Sequence, residues 1–236
     1  MTNKNIAADR DVDDLYANLH GRYGDSNARA NGYVYDGYFR GEQRILFSLL
    51  EPDASVLVDV GCGSGLMMQP LIGKREQIVA IDFNADACFA AKARGLTVVR
   101  GDAFALPLPD RSVDEIVACQ FFNTQSLESV QQFIAESARA LREGGRLVMV
   151  WRNGSAWVHR IATACFKPFE RLRGLPSFPF VNHSIACVRD YSVAIGLTVE
   201  REAVSFPTIG WCSDNIVSYR AKWIGASNIC ILRKST

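Results

Sequence analysis

Histidine is scarce in this chain, and long apolar runs are missing altogether. Three histidines stand at positions 20, 159 and 183, far from one another in sequence. The seven cysteines, at 62, 88, 119, 165, 187, 212 and 230, contain no C-x-x-C pair. An odd and scattered set fits neither a disulfide framework nor a zinc knuckle, so the thiols are expected to pack as small buried groups and no metal site is expected. No apolar stretch approaches the roughly 18–20 residues that a membrane span requires. The polar start MTNKNIAADRDVDDLY has none of the apolar core of a signal peptide, so the chain is expected to stay in the cytoplasm without stable membrane insertion. Charge of one sign is not in excess either: 26 Lys and Arg stand against 25 Asp and Glu, a formal +1. That balance gives no push toward nucleic acid or an anionic surface. Internal repeats and low-complexity tracts are absent too.

What is present is an alternation. A chain of 236 residues is long enough for one large α/β domain. SVLVDV (55–60), QIVAID (77–82), LTVVRGD (96–102), DEIVACQ (114–120) and RLVMVWR (146–152) are near-continuous apolar runs, the pattern of parallel strands covered on both faces. Helical patterns lie between them. Asn84 is placed to cap a helix that stops at Gly95. Ser129 to Leu141 puts Val130, Phe133, Ile134, Ala138 and Leu141 on one face before Gly144-Gly145. Strand and helix repeated in this way predict a doubly wound parallel sheet with right-handed crossovers. The helix after the first strand contains Pro70, so it is either very short or kinked.

The flanks read differently. Five of the seven tyrosines (16, 23, 33, 35 and 38) precede a helix at GEQRILFSLL. After the fifth strand comes an insertion, with a helical stretch SAWVHRIATACFKPFERL and a turn GLPSFPF. A capped helix over 184–195, a strand LTVEREAVSF, a short helix in SDNIVSYRAKWIG and a final strand SNICILRK complete the chain. The organisation expected is one domain. Residues 1–50 form an N-terminal helical lid and first helix, 51–152 a cofactor-binding core, 153–185 an insertion capping substrate, and 186–236 the rest of the sheet.

The strongest local signal is LVDVGCGSG, an apolar run broken by Gly61, Gly63 and Gly65. Glycine there implies close approach to the backbone or positive φ, and open parallel sheets bind ligands at the carboxyl ends of their strands. A nicotinamide dinucleotide and S-adenosylmethionine compete for this turn. The dinucleotide fingerprint needs a third glycine where Leu66 stands. Asp59, two residues before the first glycine, would crowd a pyrophosphate but suits a ligand with an ammonium and a sulfonium.

V-D-V-G-C-G-S-G resembles the first motif of the class I S-adenosylmethionine-dependent methyltransferases, most of all their small-molecule branch of quinone-biosynthesis and natural-product enzymes. The likeness covers residues 40 to 152 well and the tail in outline. It implies a Rossmann-like sheet of seven strands, mainly parallel with the last antiparallel, and S-adenosyl-L-methionine as cofactor with S-adenosyl-L-homocysteine as product. It also implies roles for particular residues. Asp59, Gly61, Cys62 and Gly63 form the glycine turn. Asp82 would hold the ribose hydroxyls and Phe83 would lie on the adenine. Asp102, with the Ala103 N–H, would meet the adenine amino group. Cys119-Gln120 would contact the methionine part through the backbone, and Arg40 would pair with the cofactor carboxylate.

A sulfonium methyl is already activated, so its transfer needs no metal. The expected acceptor is a small molecule, attacking the methyl through oxygen rather than nitrogen or carbon. Many relatives carry a histidine near the end of strand four, where this chain has Gln120-Phe121-Phe122-Asn123. His183 is therefore the leading candidate for a general base, with His159 and His20 behind it. The N-terminal tyrosines either line a lid or pack a helix on the sheet. From Arg152 to Arg173 the insertion carries five basic residues against Glu170, interleaved with Trp157, Ile161, Phe166, Phe169 and Leu172. That composition suits a substrate cap, a plain amphipathic helix or a membrane-facing surface. Nucleic acid is not expected as substrate, since strand four lacks an N-P-P-Y type of ending and no basic domain is added. The alternatives kept open are a cofactor-binding protein without methyl transfer and a nicotinamide-dependent oxidoreductase. Oligomeric state is left open.

Overall fold

The five apolar runs become β1 (Val56–Val60), β2 (Gln77–Asp82), β3 (Thr97–Arg100), β4 (Val113–Cys119) and β5 (Leu141–Arg152). A computed structural model describes residues 36–157, 180–205 and 225–235, and the backbone alone of 216–218. Three more strands follow: β6 (Leu197–Ser205), β7 (Ile216–Ser218) and β8 (Ser227–Lys234). All lie in one sheet of order β3-β2-β1-β4-β5-β8-β6-β7. β1 to β5 pair in parallel, and β8 runs antiparallel between β5 and β6. Seven strands with an antiparallel last member thus match the expectation. The three-residue β7 adds an eighth strand at the edge.

Alternation along each strand divides the core in two. Val58, Val60, Ile81, Ile116, Leu147 and Met149 face one layer, covered by α3 (Leu127–Ala140) and α4 (Ile185–Ala194). Leu57, Ile78, Ala80, Val117, Val148 and Val150 face the other, covered by Phe39, Ile45, Leu46 and Leu49 of α1 (Asp36–Leu49) and by Ala91 of α2 (Ala85–Ala93). With both faces covered, the strands carry no polar alternation.

The caps form as the sequence implies. Asn84 accepts from the N–H groups of Asp86 and Ala87, and Ser184 from that of Cys187. Gly95 and Gly196 follow α2 and α4 at φ +91° and +88°. The Pro70 segment is a single 3-10 turn, Gln69–Leu71, because proline brings no N–H to extend it.

Three expectations change. In α3 the buried face is Val130, Phe133, Ile134, Ser137 and Ala140, and Ala138 is only half-buried. The helix also ends before Gly144-Gly145, since Leu141 is already extended and paired with Val113. Ile216–Ser218, read as helix, is strand, because the open edge of β6 offers a ladder that Ile-Val-Ser can complete. Of the thiols expected to be buried, Cys62 and Cys230 are, Cys88 and Cys119 are half-buried and Cys187 is exposed. Cys165, Cys212, residues 1–35 with His20 and the first four tyrosines, and insertion residues 158–179 with His159 lie outside the described residues. Among the described residues no helix is long and apolar enough to cross a membrane, and no cluster of potential metal ligands occurs.

At the amino end of the sheet the charges hold one another. Arg146, 6 % exposed, donates to Glu115 Oε1 at 2.8 Å, to Leu49 O at 3.0 Å and, through two nitrogens, to both carboxylate oxygens of Glu200 at 2.6 and 2.9 Å. Burial pushes the fully buried Glu115 carboxyl up to about 7, against the pull of the Glu51 N–H and Arg146. Replacing Arg146 by methionine strands that carboxylate and is expected to lower unfolding stability by about 3–5 kcal/mol. A raised acid pKa favours the protonated fold, so the loss is expected to be larger at pH 8 than at pH 6 in urea titrations.

Candidate functional site

Strand order reverses at β1. The chain moves outward from β1 to β2 and β3, then crosses back to β4 on the other side of β1. The loops after β1 and β4 therefore part, and a crevice opens at their carboxyl ends. Into that crevice the chain places the glycine turn, Asp82 at the end of β2 and Gln120–Thr124 at the end of β4.

Asp59 lies one residue before the end of β1, on the same face as Leu57. It is 2 % exposed, and its Oδ2 has no hydrogen-bond partner. Burial, with a smaller contribution from the Asp82 charge, raises its carboxyl to about 7. Unpartnered buried carboxylate oxygens are costly and rare. A cation beside Asp59 would remove that cost.

The turn that follows is tied to β2. The N–H groups of Gly61 and Cys62 both donate to Ile81 O, at 2.8 and 3.1 Å. Gly63 N–H donates to Asp82 Oδ2 at 2.8 Å, and Asn84 N–H to Asp82 Oδ1 at 2.9 Å. Asp82 thus shapes the glycine turn before any ligand arrives. The glycines themselves answer to the protein. At Gly61 (φ +73°) a Cβ would sit 2.7 Å from Phe121 Cδ2, and at Gly65 (φ +77°) one would sit 2.5 Å from Leu96 Cδ1. Close approach, expected from a ligand, comes at these two positions from neighbouring side chains. Cys62 is buried, and its thiol donates to Gly63 O at 3.4 Å. Burial and the charges of Asp59 and Asp82 push that thiol upward, so it stays protonated.

The remaining sequence candidates divide. Phe83 is 59 % exposed, with Arg100 over its ring at 5.7 Å. Asp102 is exposed and accepts from Phe104 N–H at 2.8 Å, beside the buried Ala103. Arg40 is exposed, off the face of α1 that Tyr38 and Glu42 share. His183 is 4 % exposed, with Nε2 2.8 Å from Gln125 O. A carbonyl only accepts, so Nε2 carries the proton in that bond. The His183 carbonyl in turn accepts from Trp151 Nε1 at 2.9 Å. These contacts tie the segment before α4 to β5 and to the loop after β4.

Gln120 holds a position the sequence did not reveal. It is left-handed, at φ 60° and ψ 7°, and opens a 3-10 turn over Phe121–Thr124. That turn sends Phe121 over Gly61, into an aromatic group with Phe104, Phe122 and Phe133 at centroid separations of 5.1–6.0 Å. The Gln120 amide donates to Glu42 Oε1 at 2.5 Å and to Ser227 Oγ at 3.2 Å, and its carbonyl oxygen accepts from Asn123 at 2.6 Å. Ser227 donates to the same Glu42 oxygen at 2.8 Å, and so Tyr38 O–H, 3.2 Å away, is the donor to Ser227. Glu42, fully buried in α1, was missed although a signal existed. It shares the apolar stripe of Phe39, Ile45, Leu46 and Leu49, where a carboxylate calls for explanation.

Residues 58–149 match a family model described as a methyltransferase domain. An uncharacterized methyltransferase of Anoxybacillus flavithermus is 27 % identical over 69 % of this chain and 79 % of its own. A demethylmenaquinone methyltransferase of Thermobifida fusca is 26 % identical over 59 % of this chain, which spans only 60 % of that relative's length. A probable S-adenosylmethionine-dependent methyltransferase of Mycobacterium tuberculosis is 27 % identical over 50 % of this chain and 44 % of its own. Among solved structures, a methyltransferase of Thermotoga maritima superposes with a TM-score of 0.62 at 20 % identity, covering 84 % of this chain and 89 % of that one. The magnesium protoporphyrin IX methyltransferase of Synechocystis, with bound S-adenosylhomocysteine, superposes with a TM-score of 0.58 at 15 % identity, covering 83 % and 84 %. At such identities the superpositions speak for the fold alone. The matched domain and the relatives go further, and the dinucleotide reading of the glycine turn is set aside: residues 58–149 are similar to a methyltransferase domain, the chain resembles S-adenosylmethionine-dependent methyltransferases, and S-adenosylmethionine is the cofactor that this likeness supports.

Proposed function

We propose that this protein transfers the methyl group of S-adenosylmethionine to a small-molecule acceptor through an oxygen nucleophile. One observation carries the placement of the cofactor: the buried Asp59, whose Oδ2 has no hydrogen-bond partner, near the carboxyl end of β1, beside a glycine turn already hydrogen-bonded to Asp82. A cationic amino-acid moiety suits Asp59. The vicinal hydroxyls of a ribose suit Asp82, whose carboxylate offers further lone pairs. The exposed Phe83 ring suits an adenine face, with Asp102 and the Ala103 N–H for its edge. Gly61, Cys62, Gly63 and the backbone at Cys119-Gln120 complete the set. Arg40, exposed on α1, is left with the ligand's carboxylate as its expected partner.

When bound, the cofactor supplies an activated methyl on a positively charged sulfur. The chain's own part is to hold the acceptor in line and to keep water away, a positioning effect worth about 7–11 kcal/mol in favourable cases. Phe104 and Phe121, both half-buried, give the crevice an aromatic wall, backed by the buried Phe122 and Phe133. Arg152, stacked on Phe180 at 4.2 Å, marks its far rim at the end of β5. An apolar, ring-bearing acceptor fits such a wall, and a quinone-pathway enzyme among the relatives agrees with it. His183 enters this reading as a positioning residue that is buried and donates its Nε2–H to Gln125 O, with Nδ1 as the nitrogen left to accept a proton.

Calorimetric titration with S-adenosylhomocysteine is expected to give micromolar binding, and NADH none. Asp82→Ala should weaken that binding by about 1–3 kcal/mol; unchanged affinity would falsify the ribose assignment. For Asp59 the sign follows from its pKa of about 7. Below that value the free protein holds the carboxyl protonated and an ammonium gains nothing from it, so affinity is expected to rise from pH 5.5 to 7.5. The same shift means the ionised form penalises the fold at every pH above the usual carboxylate range. Asp59→Asn should therefore raise the melting temperature at pH 7.5 while weakening the ligand and flattening the pH dependence.

A further inference from the structure

Gln120 stands in a backbone region that residues with a Cβ avoid. Among the described residues only Arg111 shares this property without being glycine. Nothing about glutamine favours it, so tertiary contacts must hold it there. The side chain makes such contacts. Both ends of the Gln120 side chain are bound, the amide nitrogen by Glu42 and Ser227 and the oxygen by Asn123. Glu42 is the anchor, fully buried at a core-facing position of α1 and accepting from Gln120 and Ser227 through one oxygen. A leucine there would match Phe39, Ile45, Leu46 and Leu49 and would bury no charge.

We propose that Glu42 is a positioning residue for the cofactor site: it holds Gln120 left-handed, and that turn aims the backbone at the end of β4 and seats Phe121 against the glycine turn. The inference rests on the cofactor placement given above and adds a residue from α1, an element the glycine motif does not include. The chain of contacts is continuous. Glu42 binds the Gln120 amide, Gln120 leaves β4 with reversed φ, and Phe121 then lies where a Cβ on Gly61 would meet it at 2.7 Å. Asn123 closes the turn, since its own side-chain oxygen accepts from Arg152 N–H of β5 at 2.9 Å.

A double-mutant cycle tests this with S-adenosylhomocysteine as the probe, read by calorimetry with melting temperatures alongside. Glu42→Leu is expected to weaken binding about tenfold, the size of the backbone preference it releases. Glu42→Gln keeps an acceptor oxygen and should stay within about threefold of the parent protein. Glycine adopts positive φ unaided, so in a Gln120→Gly protein the Glu42→Leu change should shift affinity less than about twofold. Equal losses in both backgrounds would overturn the proposal, because Glu42 would then act on the ligand or on the fold at large. If Glu42→Leu does not fold, Asn123→Ala removes the other clamp, and its cycle with Gln120→Gly is judged by the same coupling. No binding by the parent protein would overturn the cofactor placement and this inference with it, whereas binding with an uncoupled cycle removes the role of Glu42 alone.

Discussion

Parallel pairing of β1 with both β2 and β4 is the constraint on which the rest depends. It puts β1 at the centre of the sheet, covered on both faces, with Leu57 and Val58 out of reach of water. It also forces the chain to turn one way after β1 and the other way after β4. The crevice, the glycine turn and the reversed φ at Gln120 all sit where these two paths part.

The same burial explains the electrostatics. Asp59 occupies a strand position whose neighbours are apolar and inaccessible, so its carboxyl is held near neutrality. Asp82, one strand over, is half-buried and already engaged with Gly63 and Asn84. The two carboxylates of this crevice thus differ in access to donors, and a buried acid with a raised pKa in a crevice is a mark of functional sites. The far end of the sheet shows the contrasting case. Glu115 is equally buried, but Arg146 and the Glu51 N–H meet it, and its charges serve the fold.

Much of this was legible from residue order. QIVAID and SNICILRK became strands with those same limits, and Asn84, Ser184, Gly95 and Gly196 capped or ended helices as their types imply. Asp59, Asp82, Asp102 and the glycines stood out because a motif keeps them close in sequence. Other features resisted. Ile216–Ser218 carried a helix-like context and became an edge strand through a partner the local pattern does not name. The partner of His183 Nε2, the Gln125 carbonyl, is 58 positions away, and no local pattern names it. Glu42 and Gln120 are 78 positions apart, and the 2.5 Å contact between them is invisible to any periodicity.

Sequence by itself determined the five parallel strands, most of the helices and their caps, and that an acid-flanked glycine turn follows the first strand. Those are local properties, set by side-chain alternation, caps and backbone freedom over a few residues. Tertiary structure alone decided that Phe121 covers Gly61, that the oxygen of Asp59 finds no donor, and that α1 delivers a carboxylate to the end of β4. Each of these depends on which distant groups the strand order brings within hydrogen-bonding or van der Waals reach. Burial and pairing are properties of the assembled sheet, and no stretch of chain carries them alone.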